Sequence, residues 1–245
     1  MDYDSKAARR AGLFYLAAAV FYIFGMMYVE GRVAGDDPEL LRKIAETGGL
    51  YRLGFLGALL GHVCLLATAA ALYELFSPVD AAWARLLVIF VVAGVSIAFL
   101  NRAHQLVVER LAVSAYPELP GTGAEWLAPL FISLYRDGER LACMFWGLWL
   151  LPAGMLAFKS GFAPKALGLV LIAACTFYVL RFFEYFLLDT PPAALSAALA
   201  AAHKADTAAK VAAELGFIGW LLVAGFRRRP AAPAERGDPS LAARR

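Results

Sequence analysis

The chain has 245 residues, 61% of them hydrophobic and 18% charged, with a mean hydropathy of +0.64. A soluble domain averages about 45–50% apolar and about 25% charged residues, so this composition excludes an ordinary soluble globular protein and points to lipid. The formal net charge of +3, carried mostly at the two ends and between apolar runs, implies no nucleic-acid surface; such charges set orientation in a membrane.

A spanning helix needs about 20 apolar residues. The first run, Ala11 to Val29, comes after Lys6, Arg9 and Arg10. It exceeds the roughly 7–15 residues of a signal core, and no small-x-small cleavage site lies beyond it; it reads as a retained span. The second covers Leu53 to Phe76 and stops at Ser77-Pro78. The third starts near Ala84, is purely apolar to Leu100, and continues through Asn101, Arg102, His104 and Gln105. The fourth is clearest from Leu141 to Phe158 and holds Pro152, whose freed carbonyl neighbouring helices can satisfy. The fifth runs from about Ala166 to Leu188, before Pro191-Pro192, and the shortest, about Val211 to Phe226, stops at Arg227-Arg228-Arg229.

The expected fold class is therefore an all-α, polytopic transmembrane helix bundle of six spans, with short amphipathic helices in the outer loops. Residues 1–229 form one domain, with spans at about 11–29, 53–76, 84–107, 139–158, 166–188 and 210–226, and residues 230–245 read as a disordered cytoplasmic tail. No Gly/Ser linker suggests a second domain. The inner basic residues crowd against span ends (Lys6, Arg9, Arg10, Arg85, Lys159, Lys165, Arg227), while those of the other set spread over longer loops with nearby acids. That density places both termini in the cytoplasm of a bacterial inner membrane.

The outer loops carry helix signals of their own. Asp37-Pro38-Glu39 reads as an N-cap, a first-turn proline and a first-turn acid, opening an amphipathic stretch that ends at Gly48-Gly49. Thr122 with Glu125 fits a capping box, opening a helix that either extends the fourth span or lies flat. Ala193 to Ala202 reads as a short surface helix. Gly57-x-x-x-Gly61 fits close helix packing, and Tyr51, Trp83, Trp126 and Tyr185 lie near span ends as aromatic belts do. Cys64, Cys143 and Cys175 lack metal-ligand spacing and read as small packing residues.

Ionisable groups at membrane depth are costly and face a bundle interior or water. His62 falls roughly 13 Å below the outer start of the second span at 1.5 Å per residue. Asn101, Arg102 and His104 close the third span, Glu139 and Arg140 open the fourth, Arg181 and Glu184 lie in the outer third of the fifth, and Glu214 lies near the outer end of the sixth. Five spans thus bring polar groups to one leaflet, with Arg102, Arg140 and Arg181 available to balance Glu139, Glu184 and Glu214. The cluster has two readings: an outward cavity that takes a small polar or amphiphilic ligand, or a network of ion pairs and snorkelling side chains.

The first reading makes the protein a binder or transporter whose partners are membrane lipids and a small amphiphile, with no cofactor, no metal and no assigned catalytic residue. An alternative is a membrane enzyme acting on a lipid or other amphiphile with His104 or Glu184 as general base; another is a structural or regulatory subunit without ligand. Haem between His62 and His104 is disfavoured because their depths differ by more than two turns. No His-Glu-x-x-His and no Gly-x-Ser-x-Gly elbow occurs. Nothing in the sequence decides the oligomeric state.

Five segments in order carry a family likeness: Arg10-Ala11-Gly12-Leu13-Phe14-Tyr15-Leu16, Leu50-Tyr51-Arg52-Leu53-Gly54, Leu72-Tyr73-Glu74-Leu75-Phe76-Ser77-Pro78-Val79, the stretch from Phe158 to Gly168 (FKSGFAPKALG), and the stretch from Glu214 to Val223 (ELGFIGWLLV). With these the chain resembles the bacterial membrane proteins grouped as domain of unknown function 4386, over about Arg10 to Phe226. The resemblance implies the multi-pass fold and no particular activity. The family's usual stretches before the fourth span and in the fifth are less charged than Arg136-Asp137-Gly138-Glu139-Arg140, Arg181 and Glu184 here.

Overall fold

The structure, a computed structural model, describes residues 3–33, 39–115, 121–187 and 193–226. Helix α1 (Ser5–Tyr22) continues as a π-helical segment (Ile23–Glu30) and one last turn (Gly31–Val33). Then come α2 (Leu40–Thr47), α3 (Gly49–Phe76), α4 (Ala81–Ala112), α5 (Gly121–Leu148), α6 (Leu150–Ser160), α7 (Lys165–Leu187) and α8 (Ala193–Phe226). Six stretches are long and apolar enough to cross a membrane: Ser5–Glu30, Gly49–Phe76, Ala81–Ala112, Gly123–Ser160, Lys165–Leu187 and Ala209–Phe226. Large apolar side chains such as Ile23, Leu53, Ile89, Leu100 and Leu180 face outward, which water would penalise and lipid does not. The chain is an integral membrane protein, a bundle of six apolar helices.

Short-range chemistry starts two of these helices. Asp4 accepts from the amides of Lys6 (2.8 Å) and Ala7 (3.2 Å), and Asp80 from those of Ala82 (3.1 Å) and Trp83 (3.3 Å); each satisfies donors that a helix start leaves orphaned. The fourth span breaks at Trp149 because Pro152 has no amide to return to the Leu148 carbonyl.

Successive spans alternate in direction, so pairs of side chains mark two ends. At the amino-terminal end Tyr3 donates to the Ala224 carbonyl (3.0 Å), Arg10 pairs with Glu74, and Lys159 with Asp80 (3.0 Å). At the far end Arg102 pairs with Glu30, Arg52 with Glu109 (2.6 Å), and the Tyr185 hydroxyl donates to Asp137 (2.8 Å).

At the amino-terminal end the core between the helices is tightly packed, and a hollow of about 340 Å3 opens at its edge among the exposed Asp4, Glu74, Pro78 and Lys159, with Tyr3 and Phe162 as its inner wall. Phe76, Phe162 and Trp220 stack at centroid spacings of 5.7, 6.1 and 6.4 Å, with Tyr3 over Phe162 at 4.9 Å. Beside them α6 and α7 touch through backbone: a methyl at Gly154 would lie 2.6 Å from the Gly168 carbonyl oxygen, and one at Gly168 2.7 Å from that of Gly154. This is the small-residue contact that lets membrane helices approach closely. The family segments around Phe76, Phe162 and Trp220 meet in this cluster.

Several sequence expectations take another form. α4 starts at Ala81 and ends at Ala112, beyond the expected span on both sides. α5 starts at Gly121, so Thr122 lies within the helix and the segment extends the fourth span instead of lying flat. The stretch from Ala193 is no separate surface helix; it runs unbroken into the sixth span, since no proline or glycine intervenes before Gly216. α2 opens at Leu40 with Glu39 at its cap, while Asp37 and Pro38 lie outside the described residues, as do Pro191, Pro192, Arg227 and the 230–245 tail. Gly48, at φ +40°, turns the chain directly from α2 into α3. Tyr51 packs with Leu40, Ile44 and Val108 in a small second core, whereas Trp126 stands exposed as a belt residue does. Gly57 and Gly61 receive the rings of Phe24 and Tyr22 from the first span.

Candidate functional site

Below the far end the helices separate around a cavity of about 320 Å3. Tyr15, Ala19, Tyr22 and Met26 line it from the first span, His62 and Leu65 from α3, Glu139, Cys143, Trp146 and Trp149 from α5 and the turn into α6, Tyr178 from α7 and Glu214 from α8. Among the described residues, five aromatic residues and two carboxylates therefore face one space, and none of the lining side chains is a Lys or Arg.

Glu139, Glu214 and His62 in the wall are each held by hydrogen bonds. Glu214 accepts from the Tyr15 hydroxyl (3.1 Å) through one oxygen and from the Tyr178 hydroxyl (3.0 Å) through the other. His62, 2% exposed, is 2.7 Å from the Ala58 carbonyl through Nδ1. A carbonyl only accepts, so Nδ1 carries the proton and Nε2 is left as the acceptor of the neutral ring. Tyr22 packs edge-on to His62 at 5.1 Å. Its hydroxyl is buried with no hydrogen-bond partner, a costly state for a polar group.

Behind the wall lies a network centred on Arg102, which is 1% exposed. One guanidinium nitrogen, Nη1, reaches Glu30 and the Gln105 side chain (2.7 Å), while Nε and Nη2 have no partner. The Tyr135 hydroxyl donates to the other oxygen of Glu30 (3.0 Å). Asn101 donates to the Tyr135 carbonyl (2.8 Å) and to Glu139 (3.1 Å), so the network holds one carboxylate of the cavity. The π-helical segment carries Glu30 to its partners. An i→i+5 turn adds a residue per turn and rotates the remainder of the helix about its axis, and such turns concentrate at functional sites.

The nine expected site residues separate into three groups. His62, Glu139 and Glu214 line the cavity. Asn101 and Arg102 stand behind it, and His104 lies 3.1 Å from Asn101 through Nδ1. Arg140 pairs with Asp137 (2.8 Å) and covers the Tyr185 ring at 4.1 Å, and Arg181 lies 3.9 Å from Glu184, all on the partly exposed outside. The acids that the arginines meet are thus Glu30, Asp137 and Glu184; Glu139 and Glu214 take Asn101 and tyrosines. His104 and Glu184, the general-base candidates, are not among the lining residues.

Sequence reasoning misses the aromatic wall and Glu30. Tyr15 and Tyr22 sit seven apart on one helical face, which is a readable signal; Glu30 lies one residue past the apolar run, where an acid looks like an ordinary solvated helix end. Among the described residues no group of three or more His, Cys, Asp or Glu side chains is arranged to hold a metal ion. The wall offers acceptors (Glu139, Glu214, His62 Nε2), donors (the Tyr22 hydroxyl and the indole N–H groups of Trp146 and Trp149) and aromatic faces.

A model of the family described as "Domain of unknown function (DUF4386)" matches residues 10–225. No curated protein and no solved structure matches the chain.

Proposed function

We propose that this integral membrane protein, which belongs to the family described as Domain of unknown function (DUF4386), binds a small amphiphilic molecule in the cavity between its first, second, fourth, fifth and sixth spans. The observation that carries the reading is the wall itself: aromatic faces around two carboxylates, with the Tyr22 hydroxyl buried and unpartnered beside them. At about 320 Å3 the space falls at the lower end of the roughly 300–1,000 Å3 typical of small-molecule pockets, which are mostly apolar with a few placed polar groups. Lys6, Arg9, Arg10, Arg85, Lys159 and Lys165 gather at the amino-terminal end, which supports a cytoplasmic position for that end in a bacterial inner membrane. The stacked aromatics close that side, so the ligand enters from the opposite one. Binding to carry a ligand across and binding to sense it share this first step.

The test is saturable energy transfer from tryptophan to 1-aminoanthracene, a small amphiphilic dye, with the full chain in lipid nanodiscs. Wild type holds the dye, and Ala19→Phe, which fills the cavity, loses at least about tenfold in affinity. Equal transfer in both proteins means that the dye sits in the lipid annulus and the cavity reading fails.

A further inference from the structure

Resting on the cavity reading above, we infer that the ligand is an organic cation, an amine or quaternary ammonium bearing an apolar group. Three carboxylates approach the space: Glu139 and Glu214 in the wall and Glu30 one layer behind. Among the described residues two cations answer them nearby. Arg102 is committed to Glu30, and Lys210 lies 4.1 Å over the Tyr178 ring, one turn before Glu214. With the acids ionised, the site carries an uncompensated negative charge in a medium where a lone charge is expensive. A cationic ligand supplies the missing charge.

The shape of the wall agrees with the charge. An ammonium is attracted to aromatic faces by the ring quadrupole, and Tyr15, Tyr22, Trp146, Trp149 and Tyr178 all border the space. Glu214 has both oxygens supplied by tyrosine hydroxyls, a pattern that suits the carboxylate form, which only accepts. It therefore attracts a cation by charge without needing its protons, so quaternary as well as primary ammonium groups fit. Ala19, Met26 and Leu65 complete an apolar side for the hydrocarbon part. An anionic amphiphile meets the reverse: two carboxylates, with the guanidinium of Arg102 held behind Glu30.

Three probes of one shape separate charge from fit: benzyltrimethylammonium, its neutral carbon isostere neopentylbenzene, and phenylmethanesulfonate. Each is titrated against 1-aminoanthracene bound to the full chain in nanodiscs, with Ala19→Phe correcting for partition into lipid. The cation displaces the dye at concentrations at least about tenfold lower than either analogue. In Glu214→Gln, and separately in Glu139→Gln, that advantage shrinks to about threefold or less while neopentylbenzene binds as before. If neopentylbenzene or the sulfonate matches the cation in wild type, the cation inference is overturned and the cavity reading stands, because the dye is still held. If the dye is not held at all, both fall together.

Discussion

The two ends of this bundle are built from the same helices and solve opposite problems. At the amino-terminal end, rings stack on rings and glycine meets glycine, so the helices touch through backbone and the hollow found there, about 340 Å3, is pushed out to the rim between Glu74, Pro78 and Lys159. Toward the far end the same helices carry Tyr, Trp and acidic side chains that hold one another apart around a cavity of about 320 Å3. Apolar contact in lipid gains nothing over lipid itself, so close packing has to come from small residues. Polar groups need partners instead, and a ring of partners encloses volume. The solid core of one end holds the spans together; the other end leaves a cavity between them.

The largest expected effect falls behind the cavity. Arg102→Met leaves Glu30 facing Tyr135 with its ion pair gone and destabilises by about 3–5 kcal/mol, read as thermal unfolding in nanodiscs. Adding Glu30→Gln recovers much of the loss; if it does not, the network is no ion-pair device. Next in size is Gly168→Ala at the solid end. Its new methyl meets the Gly154 carbonyl oxygen at 2.7 Å, costing about 1–3 kcal/mol, while dye affinity of the folded protein is unchanged. A matching fall in affinity would mean that the two ends are not separable.

The converse variant, Ala19→Phe, removes binding and leaves stability within about 1 kcal/mol of wild type. The smallest effect is in the loop that joins the second and third spans. Lys159 donates to Asp80, and with the amide donors of Trp83 and Ala82 this holds the Asp80 carboxyl below its usual range. A depressed folded-state value stabilises above the unfolded value and loses that contribution as pH falls through the folded one. The stability gap between wild type and Asp80→Asn is thus constant above about pH 5 and closes only below about pH 4. A gap that grows on acidification would reverse the assignment.

Much of the fold is legible in the sequence because apolar length is a one-dimensional property. Six runs give six spans, and Ser77-Pro78 marks the turn out of the second. Limits set by capping are less visible: Asp4 and Asp80 start helices several residues before the apolar runs begin. Ala193–Ala202 looks separate because hydropathy drops around His203 and Lys204, yet alanine continues a helix wherever nothing breaks it. At the site, depth arithmetic brings His62, Glu139 and Glu214 to one leaflet but does not tell them from Arg140 or Arg181. Which way a side chain turns depends on helix rotation, which residue depth does not contain. The aromatic wall is hidden for a related reason, since Tyr and Trp within an apolar run look the same whether they pack, face lipid or line a void.

The most direct test of the hollow end uses Cys143, which lines the cavity, with Cys64 and Cys175 replaced by alanine. A membrane-impermeant thiol reagent is added either to intact cells or to inside-out vesicles, and modification of Cys143 is read by mass. A cavity open opposite the amino terminus gives labelling in cells, slowed by 1-aminoanthracene, and little labelling in inverted vesicles. Labelling from the vesicle side alone, or none even in detergent, contradicts a cavity that opens opposite the amino terminus.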